Sequence, residues 1–230
     1  MAMPDGLVQL EGRPTAQLIA DHLREQIIQG VFRQGQQINE SVLAGQLSTS
    51  RGPLREALQR LTQEGLLVSM RNRGVFVKEL TIDDIKEIYA VREALELSSA
   101  KMLLAAGHER INPTCKSLKE SLTDMEKHII LSDWQAIARL DMQFHTSFVE
   151  GTRNSRLIRI YNTLAAESRM CILSWWTTCN LQGSYLRPDA LMQEHQNILD
   201  LLQAGDSDGL QRAISHHLHR AVEDLTATPQ

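Results

Sequence analysis

The chain has 230 residues, 42% of them hydrophobic and 23% charged, which suits one large or two small folded domains and excludes a disordered chain. A net charge of −4 excludes a uniformly basic nucleic-acid coat but not a local basic patch. No apolar run reaches the roughly 18–20 residues that span a bilayer, and the first residues carry neither the basic nor the apolar part of a signal peptide. Three cysteines, Cys115, Cys171 and Cys179, with no C-x-x-C pair argue against a disulfide framework or a zinc ribbon. The expectation is a reduced, cytoplasmic protein with no membrane partner.

Charge divides the chain. Residues 1–80 carry a net +1 and residues 81–230 a net −5, and the positives of the first part concentrate late: Arg51, Arg55, Arg60, Arg71, Arg73 and Lys78 against Glu56 and Glu64. The element pattern in this part is specific. Thr15 is placed to cap a helix to about Gln29, with Leu18, Ile19, Leu23, Ile27 and Ile28 as its apolar stripe and Gly30 as its stop. Asn39 caps a short second helix packed by Val42 and Leu43. Thr49 or Ser50 caps a third, with Pro53 in its first turn and Gly65 at its end. Two β-prone stretches, Leu66–Val68 and Val75–Val77, flank a loop in which Gly74 supplies an unusual backbone angle. Three helices and a hairpin make a winged helix-turn-helix.

The arginines then acquire a chemistry. Ser50, Arg51, Gly52 and Arg55 occupy the first turns of the third helix, the part that enters a major groove. Arg51 and Arg55, four apart, share a face and suit bidentate bonding to guanine. Gly52 leaves room for close backbone approach. Arg71 and Arg73, beside Gly74 in the wing, suit phosphate or minor-groove contact. Arg60, farther along the helix, is read as structural. Val31-Phe32-Arg33-Gln34-Gly35, Ser50-Arg51-Gly52-Pro53-Leu54-Arg55-Glu56-Ala57-Leu58, Glu64-Gly65-Leu66-Leu67 and Arg73-Gly74-Val75-Phe76-Val77 closely resemble the DNA-binding domain of GntR-type bacterial regulators. The resemblance covers about residues 13–78 and implies double-stranded DNA as partner, bound by a homodimer on a pseudo-palindromic operator. Gly52 departs from the Ser, Thr or Ala of many members, which bears on which bases are read.

From residue 81 onward no segment reads as a strand. Helices are expected near Asp83–Ala106, Pro113–Leu131, Asp133–Glu150, Ser155–Cys179, Asp189–Ala204 and Ser207–Leu225, punctuated by Gly107, Asn112-Pro113, Ser132, Gly151, Arg187-Pro188 and Gly205. The predicted fold is mainly α: a winged helix-turn-helix over 1–80 and an antiparallel six-helix bundle over 81–230.

Placing each helix at ~100° per residue puts polar groups at the centre of three apolar faces. Asp141 and His145, four apart, lie among Trp134, Ile137, Ala138 and Phe148. His195 shares a face with Leu191, Ile198 and Leu202, and His217 with Leu210, Ile214 and Ala221, while His216 and His219 point elsewhere. A buried carboxylate needs compensation, which a divalent cation supplies. Neutral imidazole plus carboxylate suits zinc, nickel, manganese or iron, and the residue types alone do not choose among them; zinc is the expected ion. An Asp–His hydrogen-bond network without metal is the alternative. On the first bundle helix Arg92 and Glu96 fall inward with Ile85, Tyr89 and Leu103. Arg92 is expected to pair with Glu96 one turn away or to anchor some other carboxylate. Ser168 and Trp175 share an inward face and line the cavity, although for Trp175 and Trp176 core or dimer packing is the simpler reading.

Asp141-Met142-Gln143-Phe144-His145, Glu194-His195 and His216-His217-Leu218, with Tyr89-Ala90-Val91-Arg92 and Leu95-Glu96, resemble the FCD domain of the FadR subfamily of GntR regulators, over about residues 82–224. Length and helix number look more like its shorter, VanR-type branch. The resemblance implies metal ligation by Asp141, His145, His195 and His217 and a small organic acid bound at that metal, with acyl-CoA not expected. It also implies a repressor released by its ligand. Two other readings stay open here: a purely structural metal, and a metal-dependent hydrolase or oxygenase. Against the enzyme, no general base besides the ligands and no nucleophile or cofactor motif is evident.

Overall fold

The computed structural model describes residues 15–182 and 188–227, the side chains of 176–182 excepted, so Trp176 and Cys179 fall outside the described side chains. The chain divides into two compact units, one up to Thr81 and one from Ile82 onward.

In the first unit α1 (Ala16–Ile28) starts where the Thr15 hydroxyl accepts the Leu18 amide at 3.3 Å. Ile19, Leu23, Ile27 and Ile28 are buried. Leu18, expected in the same stripe, is exposed, about 140° round the helix from the line of Ile19, Leu23 and Ile27. Asn39 caps α2 (Glu40–Gln46) by accepting the Val42 amide at 3.1 Å. Leu43 and Ala44 of α2 are buried, whereas Val42, expected to pack, faces out. Ser50 precedes α3 (Arg51–Gln63) without making a side-chain cap. Leu54, Ala57, Leu58 and Leu61 form its buried face, and α3 packs against α1. The Arg24 guanidinium grips both carboxylate oxygens of Glu64, at 2.6 and 2.7 Å, and ties α1 to the end of α3. Arg60 bonds Gln17 of α1 and, at 2.7 Å, Glu56, a structural role.

The first strand of the hairpin starts one residue and ends two residues later than its β-prone run suggests, and the second starts one residue earlier. After β1 (Gln37–Ile38) come β2 (Leu67–Met70) and β3 (Gly74–Val77), in the sheet order β1-β3-β2, all antiparallel. Met70 pairs with Gly74 across a tip in which Asn72 and Gly74 take positive φ, 61° and 98°. The two-residue strand β1 pairs Gln37 with Phe76 on the other side of β3. It is too short to leave an alternating pattern in the sequence.

The second unit contains α4 (Ile82–Ala106), α5 (His108–Ile130), α6 (Trp134–Glu150), α7 (Ser155–Gln182), α8 (Pro188–Ala204) and α9 (Ser207–Thr226). The start of α5 is five residues earlier than Asn112-Pro113 suggests. Gly107, at φ 69°, turns the chain, and Pro113 sits inside the helix at the loss of one backbone donor. Asp133 and Asp206 cap α6 and α9 through the Ala136 and Gly209 amides, at 3.1 and 2.9 Å. Helix α6 packs against α5 and α7, α4 against α7 and α9, and α8 against α5 and α9. Phe144, Phe148, Leu103, Leu202 and Leu210 fill the interior at 1% exposure or less. Among the described residues no helix is long and apolar enough to cross a membrane.

Candidate metal centre and nucleic-acid interface

Three helices carry four candidate ligands to one point. Asp141 and His145 come from α6, His195 from α8 and His217 from α9. All four are buried, and one ligand atom from each lies within 4.8 Å of every other. Opposite ligands of a single ion stand about 4.2 Å apart, twice a ~2.1 Å bond, so the set has the dimensions of a one-ion site.

Each histidine has its other ring nitrogen occupied. His145 Nδ1 is 2.8 Å from Glu96 Oε2, His195 Nδ1 2.8 Å from the Leu191 carbonyl, and His217 Nδ1 2.8 Å from Glu194 Oε2. These acceptors require the proton on Nδ1, which leaves all three Nε2 atoms as bare lone pairs. His145 Nε2 and His217 Nε2 face each other at 3.1 Å. His195 Nε2 lies 3.1 Å from Asp141 Oδ1 yet has no hydrogen-bond partner. Lone pairs turned on one another and on a carboxylate, in a core of low dielectric, repel unless a cation stands among them. The residues present therefore fit a divalent transition metal.

Protonation agrees with that donor set. Burial pushes His217 down to about 4 against the pull of Glu194, so its imidazole is neutral as a ligand must be. Glu96, equally buried, is brought down to about 2 by His145, Arg92 and the Tyr161 hydroxyl.

The residues expected to hold an effector divide. Arg92, 1% exposed, lines a cavity beside the cluster together with Tyr89, Asp141 and His217. It also pairs with Glu96 at 3.2 Å and lies over the Tyr89 ring, the ion pair that was one of its two expected roles. Glu96 does not line the cavity. It stands behind the cluster, accepting from His145, Arg92 and, at 2.7 Å, Tyr161. Ser168 is fully buried and likewise absent from the described lining, which α7 supplies one and two turns later through Ile172 and Trp175. Glu194, Arg220 and Tyr161 were given no role from the sequence. Arg220 carried a usable signal, standing three residues after His217 on the same face. Glu194 did not, since its partner His217 is on another helix.

In the first unit Ser50, Arg51, Gly52, Arg55, Arg71, Arg73 and Gly74 are all exposed. Arg51 reaches Ser41 at 3.4 Å, and Arg55 pairs with Glu40 at 2.8 Å, both partners in the first turn of α2. A Cβ on Gly52 would meet nothing within 4 Å, so no packing inside the unit calls for glycine there. In the wing the Arg73 carbonyl accepts from Gln37 at 2.6 Å, and its guanidinium lies 5.6 Å from the Phe76 ring centre.

Residues 15–77 match the family described as bacterial regulatory proteins, gntR family, and residues 87–220 match the FCD domain. The gluconate operon transcriptional repressor of Bacillus subtilis is 31% identical over 208 residues, covering 90% of this chain and 82% of the relative. A probable D-xylose utilization operon transcriptional repressor of Paenarthrobacter nicotinovorans is 30% identical over 203 residues, covering 88% and 85%. The crystal structure of a putative transcriptional regulator GntR from Rhodococcus sp. RHA1 superposes with a TM-score of 0.76 at 25% identity, covering 91% and 96%. The chain belongs to the gntR family of bacterial regulatory proteins and carries an FCD domain, which makes it a DNA-binding transcriptional regulator and not an enzyme.

Proposed function

We propose that the protein is a repressor whose operator affinity is set by a small carboxylate bound at a metal in the helical unit. Residues 1–80 bind DNA as part of a homodimer on a pseudo-palindromic operator. Arg51 and Arg55, with Ser50 and Gly52, read the major groove, and Arg71 and Arg73 around Gly74 hold the backbone or minor groove. Residues 81–230 bind the effector and dimerise. Asp141, His145, His195 and His217 would hold zinc, and the cation would supply the positive charge that draws a carboxylate into the core. The observation that carries this reading is the convergence of three Nε2 lone pairs and one carboxylate with every Nδ1 engaged elsewhere.

Two relatives bear the name of repressor, and we assign the same sign here, with ligand binding releasing DNA. An acid that prefers one arrangement of the bundle changes the operator affinity of the dimer by the same coupling free energy with which DNA changes affinity for the acid. The test is elemental analysis of purified protein followed by thermal melts with small acids, before and after chelation. About one metal per chain, and stabilisation by an acid only when the metal is present, is the expected result. Stabilisation that survives chelation would refute a metal-borne sensor, and an acid-independent melt would leave the metal structural.

A further inference from the structure

Several acids of the first unit are tied up where α3 meets α1: Asp21 and Glu64 with Arg24, and Glu56 with Arg60. Glu40 is placed differently. It opens α2 directly after the Asn39 cap, where the helix dipole favours a negative charge, and α2 packs against α3. Glu40 Oε2 accepts from Arg55 Nε at 2.8 Å, and beside it Ser41 Oγ lies 3.4 Å from Arg51 Nη2. The first turn of α2 thus meets both arginines assigned to the major groove.

With side chains 30% and 65% exposed, the Glu40–Arg55 pair adds little to stability. Its consequence is positional. Arg55 Nε is spent on Glu40, and the two Nη groups remain as a fork for the O6 and N7 of a guanine. The carboxylate stays one hydrogen bond from the guanidinium, and successive bases stand only about 3.4 Å apart. An ionised carboxylate accepts hydrogen bonds and donates none. On the major-groove edge it is met by the amino group of cytosine or adenine and repelled by the carbonyl oxygen of guanine or thymine. Rejection of this kind makes specificity as effectively as attraction does.

Resting on the groove reading of Arg55 above, we infer that Glu40 is a further base reader. Its carboxylate takes the amino group of a cytosine or adenine in the base pair adjoining the Arg55-bound guanine, and excludes guanine and thymine from that place.

Selection of duplexes from a random pool by the full chain, followed by anisotropy titrations of single-base variants at low and high salt, tests this in the wild type, Glu40→Gln and Arg55→Ala. In the wild type, one place next to the Arg55-dependent guanine should favour cytosine or adenine over guanine or thymine by at least ~10-fold. Glu40→Gln, whose amide turns either an oxygen or an N–H to the base, should bring that ratio within ~3-fold and leave the guanine preference in place. The lost discrimination should persist at high salt, because a short contact to a base is not screened as a charge facing phosphates is. Arg55→Ala should erase the guanine preference. An unchanged ratio in Glu40→Gln, or tighter binding to every duplex alike, would overturn the inference and leave Glu40 as a repulsive charge, with the role of Arg55 intact. Retention of the guanine preference by Arg55→Ala would overturn the groove reading and this inference with it.

Discussion

Glu194→Gln is the most discriminating change at the metal centre. Glu194 Oε2 faces His217 Nδ1 at 2.8 Å and Arg220 Nη2 at 2.8 Å. A glutamine offers one carbonyl oxygen: at the Oε2 position it keeps both of these donors but turns its amide N–H on Arg220 Nε, and at the Oε1 position it turns the N–H on His217 Nδ1 and Arg220 Nη2. The negative charge that makes His217 Nε2 a stronger donor to a cation also disappears. Outer partners of this kind are worth about 10- to 100-fold in metal affinity, or about 1.4–2.7 kcal/mol. The metal-free fold should change little, because Glu194 and Arg220 are partly exposed, at 17% and 25% of their side chains, and such pairs contribute at most about 1 kcal/mol.

The assay is zinc competition against a chromophoric chelator at fixed pH, with melts of the metal-free protein alongside. Glu93→Gln is the control. Glu93 pairs with His219 at 3.1 Å, but His219 is 67% exposed and not in the cluster, so its loss should leave zinc affinity unchanged. A Glu194→Gln protein that binds zinc within twofold of the wild type would refute the assignment of His217 as a ligand held by a carboxylate.

Other outcomes follow from the same geometry. Arg51→Ala and Arg55→Ala should each reduce the preference for operator over random DNA by the ~1–3 kcal/mol of a bidentate base contact, read by fluorescence anisotropy; preserved preference in both would remove them from the groove. Glu40→Gln releases Arg55 from an exposed ion pair and removes an anion beside the proposed DNA surface, so operator affinity should rise a few-fold at low salt and converge on wild type at high salt. Tyr161→Phe deletes a 2.7 Å hydrogen bond to an ionised, fully buried Glu96 and should cost about 2 kcal/mol in urea unfolding of the metal-free protein, whereas a change under 0.5 kcal/mol would contradict the pairing. In the metal-free protein His217 takes its proton near pH 4 when folded but near 6.5 when unfolded. Between those values the unfolded chain holds more protons, so stability should fall as pH drops from 6.5 to 4, by about 3 kcal/mol. Glu96, whose folded value is about 2, should add its own loss below pH 4.5. Urea midpoints at pH 7, 5.5 and 4.5 check the sign, and a flat profile would refute it.

The bundle's polar centre was legible because helical periodicity is an angle, and an angle needs no knowledge of neighbours. Asp141, His145, His195 and His217 each sit where the apolar residues of their own helix point, and four inward vectors in one core have few places to go. What supports those residues was not legible by the same route. Glu194 is ~100° away from His195 on α8 and acquires meaning only when α9 lies beside it. Glu96 pointed inward as predicted, but inward toward His145 and Tyr161 and not toward the cavity, a distinction that requires three helices at once. The exposed Leu18 and Val42 show the opposite failure, in which apolar character was taken for burial. The two-residue strand β1 was invisible because pairing with β3, and not any pattern of its own, makes it a strand.

The pairings of the metal centre also bear on how so small a ligand would be felt. His145 on α6 is joined to Glu96 on α4, and Glu96 to Tyr161 on α7, while His217 on α9 is joined to Glu194 on α8. With Asp141 and His195 closing the cluster, hydrogen bonds and ligand atoms link five of the six helices of the unit, and only α5 stays outside. Side chains at 7% exposure or less cannot move singly in a close-packed interior, so a shift at one ligand must be shared by its partners. An acid that alters the coordination of His217 or Asp141 would therefore bias the packing of α4, α6, α7, α8 and α9 together. Such a centre needs differential affinity for two packings of the bundle, not a large ligand, to act as a switch. If Glu96→Gln kept zinc bound while abolishing the response of DNA affinity to acid, the connection from α6 to α4 would be the element that carries the signal. An unchanged response in that variant would place the signal in α8 and α9.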